Sequence, residues 1–283
     1  MIKLCAFADE ASVELDGQIE ALIKNNIDLI ELRGIDGVNV SKISLEDAEG
    51  YAARLNKAGI KVWAIGSPIG KIKLSDDVEA HMELLSHVCR LAKIFGTDKI
   101  RMFSFYEAYE NEERVFSLLR RMVGIADSFD VKLYHENEKK IYGDTAERVL
   151  RIMENVEGLY YVYDPANFIE VGEDSAMTLD ALHSKTDYFH IKDVIAAEHQ
   201  LVPAGYGDGK IPQLIERISD DKVLTIEPHL KIFKGFSEID GSEMKNRFVF
   251  NTNAEAFDAA VTAIKDQLIK CGYYEIKGGF IKQ

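Results

Sequence analysis

Short apolar runs recur along the chain, and each is followed by a longer stretch in which apolar residues return every three or four positions. The short runs cover 3–8, 28–33, 61–66, 99–105, 132–138, 159–164, 188–194 and 223–229, and each reads as a β-strand. Between 78 and 95, Met82, Leu85, Val88, Cys89 and Ala92 have the spacing of one buried helix face. Gly59 and Gly96 stand just ahead of the next strand, where helix C-termini commonly place glycine. Strand–helix units repeated in this way predict a parallel sheet, and eight of them close a barrel with no exposed edge. The expected fold is a (β/α)8 TIM barrel, with residues 1–283 forming one domain.

The stretch 230–252 interrupts this regularity, being long for a barrel loop and without clear periodicity. Its aromatics Phe233, Phe236, Phe248 and Phe250 are expected either to cap the catalytic end or to pin the loop to the barrel. The tail after Gly272 reads only as a packed extension.

Composition narrows the function. A chain of 283 residues that is 47% hydrophobic can bury a substantial core. Its formal charge of −14 would repel a phosphate backbone, so a nucleic-acid substrate is not expected. Cys5, Cys89 and Cys271 are too scattered for a disulfide framework or a thiolate metal cluster, and read as thiols in a reducing compartment. Asp9 and Glu10 arrive before a signal-peptide core could form, and no apolar run approaches membrane-spanning length. A cytoplasmic protein is expected. A homodimer would suit its size and acidity, although no interface signature is present.

Candidate chemistry collects at strand ends. Glu136, Asp164, His190 and Glu227 each lie at or near the C-terminal end of a separate strand, so a parallel sheet brings all four to one face. Carboxylates with an imidazole suit Mn²⁺, Co²⁺, Fe²⁺, Zn²⁺ or Mg²⁺, and the lack of thiolate argues against a purely structural zinc site. One divalent ion is the expected cofactor. Alternation also puts Glu138 on the face of Glu136, as a rival ligand. Pro165 and Pro228 end their strands directly after Asp164 and Glu227, which leaves both acids at the rim.

The segments His135-Glu136-Asn137-Glu138, Asp164-Pro165-Ala166-Asn167, Phe189-His190-Ile191-Lys192-Asp193, Gly205-Tyr206-Gly207-Asp208-Gly209 and Thr225-Ile226-Glu227-Pro228 resemble the xylose-isomerase-like TIM-barrel superfamily of sugar and sugar-phosphate isomerases and epimerases. The likeness extends over the N-terminal half through Asp9-Glu10, Ile30-Glu31-Leu32-Arg33, Gly66-Ser67-Pro68-Ile69-Gly70-Lys71 and Arg101-Met102-Phe103-Ser104-Phe105. The resemblance implies a divalent cation on Glu136, Asp164, His190 and Glu227, with Glu136 and Glu227 doubling as a proton-transfer pair. Proton removal beside a carbonyl would give an enediolate, and return of the proton yields epimerisation or aldose–ketose isomerisation.

One position departs from the superfamily. Many members carry histidine three residues after the aspartate, where this chain has Asn167, which can hydrogen-bond a hydroxyl but cannot accept a proton at neutral pH. With seven histidines in all, the chain also fits poorly with endonuclease IV, a relative that uses a histidine-rich tri-zinc cluster. Lys71, Arg101 and Lys192 are candidates to hold sugar oxygens or a phosphate, with Arg33 a fourth and His229 a further contact. The glycines 205–209 stand where many barrels bind phosphate, although a flexible loop explains them equally. Trp63, Phe103 and Phe105 could stack on a sugar or simply pack. Two other readings remain open: a keto-inositol-type dehydratase using the same metal site, and a carbohydrate-binding barrel without catalysis.

Overall fold

A computed structural model describes residues 1–231, 245–246 and 248–282. Eight parallel strands form its centre: β1 (Ile2–Ala6), β2 (Leu29–Leu32), β3 (Lys61–Gly66), β4 (Lys99–Met102), β5 (Lys132–Glu136), β6 (Leu159–Tyr163), β7 (Tyr188–Ile191) and β8 (Lys222–Ile226). Each pairs with its sequence neighbours, and β1 pairs with β8 from Ile2↔Lys222 to Ala6↔Ile226, closing the sheet. The TIM barrel expected from the alternating pattern is therefore present.

Strand alternation sorts the side chains. Leu4, Ile30, Val62, Ile100, Leu133, Tyr161, Phe189 and Leu224 face outward into the core shared with the surrounding helices. Cys5, Leu29, Tyr134, Val162, Tyr188 and Val223 form a second, inner cluster, against which Trp63 and Tyr160 pack. Trp63 is thus a packing residue of the barrel interior, with its ring 6.1 Å from Tyr188. Side-chain oxygens stop the helices fraying: Ser44 accepts from Asp47 N, Asp77 from Ala80 N, Thr145 from Arg148 N and Thr252 from Glu255 N. Gly59 and Gly96 have φ of +78° and +74°, the left-handed turn out of the helix expected of them.

Several strands end earlier than the pattern predicts. β4 stops at Met102 because the next amides turn to the loop after β3: Phe103 N bonds Ile69 O at 2.8 Å and Phe105 N bonds Gly70 O at 2.8 Å. Phe105, fully buried, takes a φ of +68° there and packs in the outer core, away from any ligand role. The run 188–194 is two elements, since Asp193–Ile195 leaves the barrel to pair antiparallel with Gln200–Val202. Among the loop aromatics, Phe248 lies 5.6 Å from Tyr206 and 6.5 Å from Phe250, while Phe233 and Phe236 lie outside the described residues. The tail is a hairpin, Tyr273–Ile276 with Gly279–Lys282, whose Phe280 pairs with Ile2. Among the described residues no helix is long and apolar enough to cross a membrane.

Candidate metal and acid–base site

The inward-facing positions build the site two residues at a time. Above the apolar inner layer, Leu29 is followed on its face by Glu31 and Arg33, Tyr134 by Glu136, Val162 by Asp164, Tyr188 by His190 and Lys192, and Val223 by Thr225 and Glu227. All of these polar residues are buried. Glu136, Asp164, His190 and Glu227 converge so that one ligand atom from each lies within 4.8 Å of the others.

His190 organises the cluster. Its Nδ1 lies 3.0 Å from Glu136 Oε1 and 3.2 Å from Glu227 Oε2, and its Nε2 lies 3.0 Å from Glu31 Oε2. Glu31 in turn accepts from Tyr188 Oη at 3.0 Å. A carboxylate behind an imidazole sets which nitrogen faces the centre and raises its basicity, as in many metal sites. Burial opposes charge on the ring, yet Glu136 and Glu31 outweigh it and hold the imidazole well above its ordinary pKa.

The carboxylates are each tied down on one side. Asp164 Oδ1 caps the helix Pro165–Glu170 by accepting from Ala166 N and Asn167 N, at 2.8 and 3.2 Å. Its Oδ2 lies 3.0 Å from Lys192 Nζ without a well-aimed hydrogen bond, while that amine donates to Asn167 Oδ1 at 2.7 Å. Glu227 Oε1 takes Arg33 Nη1 at 2.9 Å, leaving Oε2 buried and without a hydrogen bond. Two buried carboxylate oxygens lacking a well-aimed hydrogen bond, beside an imidazole, are what a hard cation would satisfy, so the donor set fits a divalent metal.

Charge state follows burial and neighbours. Burial pushes the Asp164 carboxyl up to about 7 in spite of Lys192, with Glu136 and Glu227 adding to the rise. Burial would raise Glu227 as well, but Lys192, His190 and His229 hold it well below the usual carboxylate range. Those directions belong to the cluster's own charges, and a bound cation would lower the proton affinity of each group it touches.

The remaining candidates surround this centre. Asn167 is braced between Lys192 and Glu136, giving Nδ2 to Asn137 O at 2.9 Å and to Glu136 Oε1 at 3.4 Å. Arg101 Nε lies 3.1 Å from Glu136 Oε2, and Nη1 donates to Ser67 O at 2.9 Å. Lys71 sits further out, 3.1 Å from Glu138 Oε2 and 4.3 Å over the Phe103 ring. Glu138 is accordingly the partner of Lys71, outside the four-residue group, because β5 ends at Glu136 and alternation no longer applies. His229 Nε2 lies 3.4 Å from both Glu10 and Glu227. Glu10, Glu227 and His229 could also surround a cation, but Arg33 already contacts both of those acids. Glu31 and Glu10 join the site although neither is among the candidates drawn from strand ends; the alternation Leu29, Glu31, Arg33 is the signal in the sequence for Glu31.

The glycine stretch is not an open anion site. The amides of Gly205, Gly207 and Gly209 donate to the Asp193 carboxylate at 2.8, 3.0 and 2.9 Å.

Residues 19–234 match the xylose isomerase-like TIM barrel family, well over half of the chain. The chain belongs to that family. Among solved structures, its barrel resembles the probable 3-DHS dehydratase AsbF of petrobactin synthesis from Bacillus anthracis, at 18% identity and a TM-score of 0.72, covering 95% of this chain and 99% of that one. An L-ribulose 3-epimerase aligns at 18% identity and a TM-score of 0.70, covering 95% of each chain. The IOLI protein with a bound zinc atom aligns at 19% identity and a TM-score of 0.71, covering 97% of this chain and all (100%) of that one. At these identities the structures establish the shared fold. No curated protein sequence matches the chain. An epimerase and a probable dehydratase thus share this barrel fold, and the activity has to be argued from the residues themselves.

Proposed function

We propose that the protein is a divalent-metal-dependent isomerase or epimerase of a small sugar or sugar phosphate. The observation that carries this reading is the buried convergence of Glu136, Asp164, His190 and Glu227, with Asp164 Oδ2 and Glu227 Oε2 left without a well-aimed hydrogen bond. These four residues would hold the cation, which supplies Lewis-acid polarisation of a carbonyl and stabilises charge on neighbouring oxygens.

Glu136 and Glu227 are the proton carriers in this reading. Glu227, held below the usual carboxylate range, is an anion at neutral pH and can accept a proton. Arg33 anchors one of its oxygens, so the other is aimed rather than free to rotate. Glu136 enters from β5, three strands round the barrel from β8. Carboxylates on opposite faces of a planar enediolate can take a proton from one side and return one to the other, inverting that carbon. A single carboxylate working on one face shifts the proton to the neighbouring carbon. Lys192, tied to Asn167 and beside Asp164, is placed to donate to a substrate oxygen.

The test is solvent deuterium incorporation into a panel of ketoses and their phosphates, with the protein supplied with divalent ion. Label is expected at the carbon next to the carbonyl, and product mass otherwise unchanged. A product lighter by one water would replace isomerisation with dehydration. Glu227→Gln is expected to cost roughly 10²–10⁴ in turnover, the usual contribution of a general acid–base group, while the fold is kept. Full activity after complete chelation, or no label in any compound, overturns the reading.

A further inference from the structure

A cavity of about 140 Å³ opens between the loops that follow β2, β3 and β4, lined by Arg33, Lys42, Lys71 and Arg101 together with Asn39 and Ser41. Among the described residues no carboxylate lines it, although the chain as a whole has 48 acidic against 34 basic residues. Resting on the function proposed above, we infer that this cavity is the subsite for an anionic group, and that the substrate is a hydroxy-ketone carrying a carboxylate or phosphate at one end.

Position supports this. Arg33 and Arg101 belong to the cavity wall and also touch the four-residue centre, through Glu227 Oε1 at 2.9 Å and Glu136 Oε2 at 3.1 Å. One small molecule can therefore span both places. The donors are also built in rather than draped over the surface. Arg101 is 4% exposed, its Nη1 is fixed on Ser67 O, and its Nη2 has no acceptor among the described residues. Lys71 is held over the Phe103 ring by Glu138, and Lys42 is exposed with no acidic partner among the described residues.

The chemistry then selects the ligand. A neutral hydroxyl can accept hydrogen bonds here but brings no charge to Lys42, which has no acidic partner among the described residues, or to the second terminal nitrogen of Arg101, in a cleft that concentrates their field. A carboxylate or phosphate supplies both the acceptor oxygens and the charge, with charge-assisted bonds about twice as strong as neutral ones. The volume holds several waters, enough for either group. Carboxylate and phosphate differ in oxygen count and charge, and substrate panels separate them.

The first experiment does not depend on turnover. Titration of inorganic phosphate into the metal-loaded protein at low ionic strength, followed by calorimetry, is expected to show a single saturable site. Lys42→Ala and Lys71→Gln should each weaken it by about tenfold. Lys42 is exposed, so its replacement leaves folding untouched. Absence of saturable binding, or affinity unchanged from the unmodified protein in both variants, overturns the subsite. The second experiment compares deuterium incorporation into matched neutral ketoses, ketose phosphates and keto sugar acids. Label confined to one anionic set supports the inference and names the group. Label mainly in neutral ketoses refutes it while the proposed function stands. Pocket-dependent phosphate binding with no label in any set refutes the proposed function while the subsite stands.

Discussion

At the scale of single residues, the site depends on which oxygen of each carboxylate is already engaged. Arg33 takes one oxygen of Glu227, the helix amides take one of Asp164, and Glu31 takes the outer nitrogen of His190. Glu31 acts through His190, so it is a positioning residue with a readout of its own. Glu31→Gln is expected to weaken divalent-metal affinity by about 10–100-fold, in the range found for outer partners of metal-binding histidines. Calorimetric titration of the metal checks this, and unchanged affinity would make Glu31 a purely structural acid. The four centre residues were legible in the sequence because each follows an apolar strand and two are stopped by proline. Glu31 was not, because an acid between Ile30 and Leu32 reads equally well as the solvent face of a half-exposed strand. Only barrel closure, a contact from β2 to β7 across 159 positions of sequence, turns that face inward.

Among elements, loops decide what alternation cannot. Every barrel strand was legible from apolar periodicity, but the ends of β1, β4, β5, β7 and β8 were not. Side-chain pattern runs on after the backbone ladder has stopped: Phe103 and Phe105 continue the alternation of β4 while their amides serve the loop at Ile69 and Gly70. Gly70, with φ of +88° and a would-be Cβ 2.0 Å from Phe103 O, is required by that approach, and the contact belongs to the protein rather than to a ligand. The loop after β7 gives a sharper test. A Cβ on Gly207 would stand 2.4 Å from Asp193 Oδ1, whereas one on Gly50, within the helix Leu45–Lys57, meets nothing within 4 Å. Gly207→Ala is expected to destabilise by about 1–3 kcal/mol through overpacking. Gly50→Ala should stabilise by about 0.5–1 kcal/mol through helix propensity. Denaturant midpoints of the two variants check both signs, and a neutral Gly207→Ala would mean the loop re-forms without the Asp193 contact.

For the whole molecule, polarity is layered along the barrel axis. An apolar inner layer lies beneath a charged layer, and the tail hairpin packs Phe280 against the start of β1 at the opposite end from the site. Reactive groups elsewhere are correspondingly quiet. Burial pushes the Cys89 thiol up to about 12 and Cys5 well above its ordinary value, while Cys271 is raised but partly exposed. A small aromatic disulfide at about pH 8 should therefore titrate at most Cys271 in the native protein and all three thiols after denaturation. Rapid modification of Cys5 or Cys89 would show that the barrel opens on the timescale of the assay.

The Asp193 carboxylate can also be regarded as a tethered competitor. A free anion seeking the amides of Gly205, Gly207 and Gly209 must displace a group whose short tether gives it an effective concentration of millimolar or more. Free phosphate would lose that contest, and a substrate of the proposed kind is left with one direction in which to lie, its charged end toward the β2–β4 side. Removing the competitor, as in Asp193→Gly, would turn a loop that now serves only the fold into a second berth for anions, and with it a second orientation for the substrate.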